Sequence, residues 1–282
     1  WIGSVAAINY VGAKPIFADI GDDFNINPNS IKERISSKTK AIIPMHYAGH
    51  MCDMKQIKQI SQDNNLYLIE DAAQSFGAEL NGQKSGSFST IAAFSMNPMK
   101  PFNGYGDAGF AVTDDNEKYE RIKMLRYAGT KSIPGTNVTA DAIEISLNHK
   151  IDNINAALLL VSLKYLPKKQ KIVNNIAERY INELNEHIKV QRLAETEVHG
   201  RYVFPIRTDK RDELMHYLHS KNIETKIMNE PLASEAHAFK KLKSLPLPNA
   251  ERVLNSSLVI PCHDKMSEEQ TDYVINNINN FF

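Results

Sequence analysis

A lysine on a turn just beyond one strand, with a carboxylate at the end of the neighbouring strand, can do carbonyl chemistry. This 282-residue chain carries such a pair. Lys100 closes the run Phe94-Ser95-Met96-Asn97-Pro98-Met99-Lys100, and Asp71 ends the apolar run Leu66-Tyr67-Leu68-Ile69-Glu70-Asp71, ahead of Ala72-Ala73-Gln74. A lysine amine forms a Schiff base with an aldehyde, and burial or a nearby charge that lowers its pKa makes it a better nucleophile. A carboxylate can keep a proton on a pyridine nitrogen, which turns that ring into an electron sink.

Pyridoxal phosphate needs both groups: a lysine for its aldehyde and a carboxylate for its ring nitrogen. Each residue alone also fits a plainer role. Lys100 could be a solvated turn residue, Asp71 a helix cap or turn former, Ser95 a partner for a backbone group and Gln74 part of a solvated helix face. Their order carries the argument, because open α/β sheets gather ligands at the carboxyl ends of their strands, where these groups fall.

The elements that must position them follow from hydrophobic pattern. Residues 15–19, 41–44 and 66–71 read as strands, with a helix from Met54 to Asn64 between the last two. Strand, helix, strand at this spacing implies right-handed crossovers and an α/β class with a mostly parallel sheet flanked by helices. Residues 91–95 and 108–113 read as two further strands joined by a Gly-rich turn, and 116–127 as a helix. A long helical pattern over 151–184 is expected to break at Pro167, which sets a division into a large domain (1–166) and a small α+β domain (167–282). In the latter, 201–206 and the stretch from Thr225 read as strands, and 212–221 and 267–281 as helices.

Composition narrows the classes of function. Hydrophobic residues make up 42% and charged residues 23%, as in folded globular chains, and 33 basic against 33 acidic residues leave no net charge to favour a nucleic-acid partner. Cys52 and Cys262 lie far apart without Cys/His spacing, which points to neither disulfide nor metal and to a reducing, cytoplasmic setting. No apolar run approaches the roughly 20 residues a membrane span requires. The chain opens on Trp1 and runs straight into an apolar stretch, which suggests that its N-terminal part is incomplete.

Nearly the whole chain resembles the DegT/DnrJ/EryC1/StrS sugar aminotransferases, fold-type I pyridoxal-phosphate enzymes. The matching segments are residues 12–19, 70–78 and 95–100, and Gly106-Asp107-Ala108-Gly109 leading into Val112-Thr113-Asp114-Asp115. The resemblance implies that Lys100 holds the cofactor as a Schiff base, that Asp71 pairs with the pyridine nitrogen, that Ser95 binds the phosphate and that Gln74 contacts the ring hydroxyl. Trp1 stands where the family carries an aromatic residue that stacks on the ring, although a lone Trp also suits a core. Asn148 resembles the asparagine that reaches the phosphate of a neighbouring subunit's cofactor, which implies a homodimer with shared sites; its alternative is a helix cap.

The implied reaction moves an amino group from L-glutamate to a nucleotide-linked keto sugar, a 4-keto-6-deoxy sugar on UDP, GDP or dTDP, for surface glycans or secondary metabolites. Another fold-type I reaction on a sugar and a catalytically inactive regulatory or binding relative are the alternatives. Lys150 replaces the family's usual arginine and offers no planar fork, Met96 takes a place more often aromatic, and Tyr127-Ala128-Gly129 replaces a His-Gly ending. The family's phosphate loop lies upstream of the aromatic position, ahead of Trp1. His46, His50, His149, His237 and His263 suit either substrate contacts or packing.

Overall fold

A computed structural model describes residues 1–131, 141–191, 193, 196–242 and 244–282. Its central sheet has the order β1 (Ala41–Ile42), β2 (Tyr67–Asp71), β5 (Ile91–Ser95), β6 (Gly109–Val112). β1, β2 and β5 are parallel, and β6 returns antiparallel to β5. Between β2 and β5 lies the short hairpin β3 (Glu79–Leu80) and β4 (Gln83–Lys84). Helix α3 (Met54–Asp63) makes the crossover from β1 to β2. It starts where the Asp53 side chain accepts the Gln56 N–H at 3.0 Å, and its Met54, Ile57 and Ile60 bury one face against Ile42 and Leu68.

Alternation along β2 sends Leu68 and Glu70 into the side covered by α3 and turns Asp71 to the other. Glu70 is fully buried and accepts from the Gly86 and Phe88 N–H groups, the Ser89 hydroxyl and His46 Nε2, at 2.7 to 3.0 Å. His46 Nδ1 accepts the Cys52 N–H, so its proton lies on Nε2, toward Glu70. Burial pushes the Glu70 carboxyl up, yet these donors, His46 foremost, leave it below its ordinary 4.5. Glu70 therefore contributes its full stability above about pH 4.5 and loses it as pH falls through the lowered folded value. Glu70→Ala is expected to cost about 3–5 kcal/mol by stranding buried donors. Urea unfolding at pH 7 and pH 3 checks this, because the difference between wild type and variant should shrink at the lower pH.

Helix α5 (Asn153–Glu183), capped by Asp152, runs without interruption through Pro167, so the expected break does not occur. Pro167 and Leu163, one turn earlier, are both exposed, and the carbonyl that proline leaves unpaired can bond water. Leu159 and Leu166 pack on Met96 and Phe102, whereas Ile176, Ala177 and Tyr180 join a second core with Phe204, Ile206, Leu214 and Leu258. In that second core β11 (Phe204–Arg207) lies antiparallel between β9 (Lys189–Val190) and β12 (Ser257–Ile260), under α6 (Arg211–Ser220) and α8 (Glu268–Phe281).

Two expected strands are not ladders. Residues 15–19 join no strand, with the Asp19 carbonyl accepting the Asn27 N–H at 2.9 Å and one bridge just beyond at Ile20–Ile26, and the stretch after Thr225 forms only the bridge Lys226–Val259. Helix α4 (Asn116–Arg126) falls where expected, β7 (Thr130–Lys131) pairs with β8 (Asp141–Ala142) and β10 (Glu197–Val198) with β3, and helices α1 (Ile2–Tyr10), α2 (Pro28–Arg34) and α7 (Pro248–Ser256) are additions to the expected set. Asp19 caps α7 from across the chain, accepting the Asn249 and Ala250 N–H groups at 3.0 and 2.9 Å.

Candidate active site

Asp71 and Ser95 end the adjacent parallel strands β2 and β5, so the sheet delivers both to one crevice. Beyond Ser95 the chain turns tightly. The Asn97 N–H reaches Ser95 Oγ at 3.3 Å, Asn97 Oδ1 accepts the Met99 N–H, and the Lys100 N–H closes on the Asn97 carbonyl at 2.9 Å. Asn97 Nδ2 also donates to Asp107 at 2.8 Å, which pins the turn to the segment entering β6. That segment can approach because a Cβ on Gly109 would stand 2.7 Å from the Phe94 carbonyl oxygen. The turn thus fixes where Lys100 departs.

The Lys100 amine is half-buried and lies 4.3 Å from the centre of the Tyr202 ring. Burial lowers its pKa, and the negative charge of Asp71 opposes the shift. Asp71 accepts the Ala73 N–H at 3.2 Å and the Ser4 hydroxyl at 2.5 Å. Ser4 lies three residues after Trp1, the N-terminal flank of α1, so both sit on one face of the first turn, and Trp1 is 55% exposed rather than in a core. Gln74 is buried, and its Oε1 accepts the Ala48 N–H at 2.7 Å. Ala48 in turn accepts the Tyr202 N–H at 2.9 Å, which ties the Lys100–Tyr202 contact to the same loop.

Asn148 stands apart. It is exposed, bridges Tyr127 and accepts the Lys150 N–H at 3.4 Å, and no hydrogen bond among the described residues joins it to Asp71, Ser95 or Lys100. Nor does it cap α5, since Asp152 does. His46 and His50 are buried in packing networks, whereas His263 lines the cleft beside Lys100. Ser4, Asn97, Arg201 and Tyr202 belong to this region without having been singled out by sequence. Ser4, at i+3 from Trp1, and Asn97, before a proline, left a local signal.

A half-buried lysine amine within the field of a carboxylate that accepts a serine hydroxyl, at the strand ends of an α/β sheet, is a fitting cradle for pyridoxal phosphate. These features define the class of lysine-dependent α/β transferases that use that cofactor. The chain belongs to the DegT/DnrJ/EryC1/StrS aminotransferase family, whose model matches residues 1–279. It is 34% identical to the "Pleiotropic regulatory protein" of Geobacillus stearothermophilus, covering 100% of this chain and 76% of that one. It is 30% identical to the dTDP-3-amino-3,6-dideoxy-alpha-D-galactopyranose transaminase of Aneurinibacillus thermoaerophilus, again over 100% and 76%. A DegT DnrJ EryC1 StrS aminotransferase from Brucella abortus superposes with a TM-score of 0.91 at 29% identity, covering 100% of this chain and 77% of that one. The family's cofactor is pyridoxal 5′-phosphate, and the residues present fit it. No helix among the described residues is long and apolar enough to cross a membrane.

Proposed function

We propose that the chain moves an amino group from L-glutamate to a nucleotide-linked keto sugar, a 4-keto-6-deoxy sugar in the favoured case. The observation that carries this reading is the Lys100 amine, held half-buried between Tyr202 and the charge of Asp71. When bound, pyridoxal phosphate supplies the aldehyde that accepts the donor's amino group and the ring that delocalises the resulting electrons. Lys100 Nζ holds the cofactor and, once displaced, takes and returns the proton at the substrate carbon. Asp71 keeps a proton on the ring nitrogen, while Ser4 and the Ala73 N–H fix the carboxylate's plane. Ser95 would bind the phosphate, Gln74 would contact the ring hydroxyl, and Trp1 would stack on the ring. We place the division between large and small domains at 166/167, inside α5, with the Lys100 cleft between the two parts.

The relative named as a regulatory protein offers a second reading, a ligand-binding protein without turnover. Lys100 within the field of Asp71 favours the enzyme. Incubating the cofactor-loaded protein with 15N-L-glutamate and a dTDP-linked 4-keto-6-deoxy sugar should place the label in the sugar, read by mass spectrometry. Retention of all label in glutamate, across UDP-, GDP- and dTDP-linked keto sugars, would favour the second reading.

A homodimer completes this proposal. The first half of α5 leaves Ile154, Leu160, Val161 and Tyr165 at least half exposed, and Tyr105, 77% exposed, is tethered beside them by its N–H on Asn155. Such apolar surface marks an interface, and Asn148, exposed near the start of α5, would reach a second copy's cofactor phosphate. Light scattering should give twice the chain's mass of 31.8 kDa, and a Leu160→Glu, Val161→Glu double variant should give monomers that bind cofactor weakly. A wild-type protein that stays monomeric at every concentration would count against shared sites.

A further inference from the structure

A cavity of about 220 Å³ opens beside Lys100, between α5 and the segments around Arg201 and His263. Three cations line it, Lys100, Lys169 and Arg201, against one acid, Asp264, whose charge meets Lys265 at 3.7 Å. Lys169 Nζ is bound to the neutral Asn103 oxygen at 2.7 Å. Arg201 is the less expected member. Its Nε donates to the neutral Asn174 oxygen at 3.3 Å, and among the described residues no carboxylate pairs with its guanidinium. By contrast, Arg207 binds Asp22 and Arg179 binds Glu183 and Asp272. Two carboxylates, Glu197 and Glu178, act on its charge from a distance without forming an ion pair with it, and Glu197 is already committed, at 3.1 Å to His50 and at 2.9 Å to the Met51 N–H.

An inward-facing cation without a carboxylate in direct contact costs stability, and proteins keep such groups where a ligand supplies the missing contact. The cost is visible in Arg201 itself, whose pKa burial pushes down. The backbone also commits to this placement. Arg201 sits at φ 50°, held by its own N–H on His199 Nδ1 at 2.8 Å, and Gly49 leaves it room, since a Cβ there would stand 2.6 Å from the Arg201 nitrogen. The cavity is smaller than the roughly 300 Å³ at which drug-sized ligand pockets begin, which is room for an amino acid but not for a nucleotide sugar.

We propose that Arg201, with Lys169 beside it, binds the carboxylates of the amino donor and so selects a dicarboxylic amino acid for Lys100. The planar guanidinium suits a carboxylate edge-on, and two cations suit a donor with two carboxylates. The assignment rests on the aminotransferase reading, but its test does not depend on turnover. Glutarate, which has both carboxylates and no amino group, is titrated calorimetrically into the cofactor-loaded wild type, Arg201→Gln and Arg201→Lys, alongside UDP, GDP and dTDP.

Losing a charge-assisted contact of this kind should raise the glutarate Kd in Arg201→Gln by about 10- to 100-fold, with partial recovery in Arg201→Lys. The nucleotide affinities and the absorbance of the bound cofactor should stay unchanged, and the melting temperature should be equal or higher, because an uncompensated charge has been removed. The L-glutamate concentration that half-bleaches that absorbance should rise in step. Unchanged glutarate binding in Arg201→Gln would overturn the assignment, as would weakened nucleotide binding, which would give the guanidinium to a diphosphate. Arg201-dependent glutarate binding in a protein whose absorbance no amino donor changes would keep the carboxylate site and reject the aminotransferase.

Discussion

Lys100→Ala is expected to remove covalent attachment of the cofactor and to abolish amino transfer, while leaving the fold intact. Lys100 contributes no side-chain hydrogen bond or ion pair among the described residues, only the approach of its amine to the Tyr202 ring, and such contacts are worth about 0.5–2 kcal/mol. Its backbone N–H, which closes the Asn97 turn, is retained in alanine. Proton transfer by a positioned base alone is worth about 10²–10⁴ in rate, and the covalent step adds to that. Turnover should fall by at least about 10⁴-fold, with a melting temperature within a few degrees of wild type. Exogenous alkylamines should restore part of the rate, because what the variant lacks is a base and not a scaffold.

Asp71→Asn is the second large effect. The substitution keeps the shape, and its oxygen can still accept from Ser4 or the Ala73 N–H, but it removes the charge that would keep a proton on the cofactor's ring nitrogen. Loss of a preorganised electrostatic partner of this kind costs about 10²–10³ in rate, so turnover should fall by that factor while cofactor binding weakens far less. The same charge opposes the burial-driven lowering of the Lys100 pKa. Without it the Lys100 pKa falls further, and the free amine should persist to lower pH. A pH titration of cofactor attachment in the variant should therefore begin at lower pH than in wild type, a result that loss of packing alone would not produce.

The strands that carry Asp71 and Ser95 were legible because each is a short apolar run that alternates burial and stops at polar residues, a signal that lies within the run. Residues 15–19 have a similar composition yet join no ladder, since a ladder needs a partner and local sequence does not name one. Helix α1 carries no distinguishing sequence signal, for a related reason. It is apolar at most positions, and periodicity cannot separate a short apolar helix from a buried strand. The uninterrupted α5 shows that a proline ends a helix only where the surroundings cannot satisfy the freed carbonyl.

Within the site, Lys100, Asp71, Ser95 and Gln74 announced themselves by order along the chain, whereas Tyr202 and Arg201 did not. They follow Lys100 by about a hundred positions and reach it through backbone pairing of Tyr202 and Gly200 with Ala48 and Gly49. No spacing rule connects residues that only tertiary structure brings together. Asn148 lies at the opposite limit: its proposed role depends on a second copy of the chain.

The most direct test of the account is an absorbance spectrum of the purified protein with pyridoxal phosphate, repeated after L-glutamate and again for Lys100→Ala. The expected result is a visible band from lysine-linked cofactor that bleaches with glutamate and is missing in the variant. A wild-type protein that shows no such band, or a band that survives in Lys100→Ala, would contradict the assignment of Lys100 as the cofactor-holding lysine.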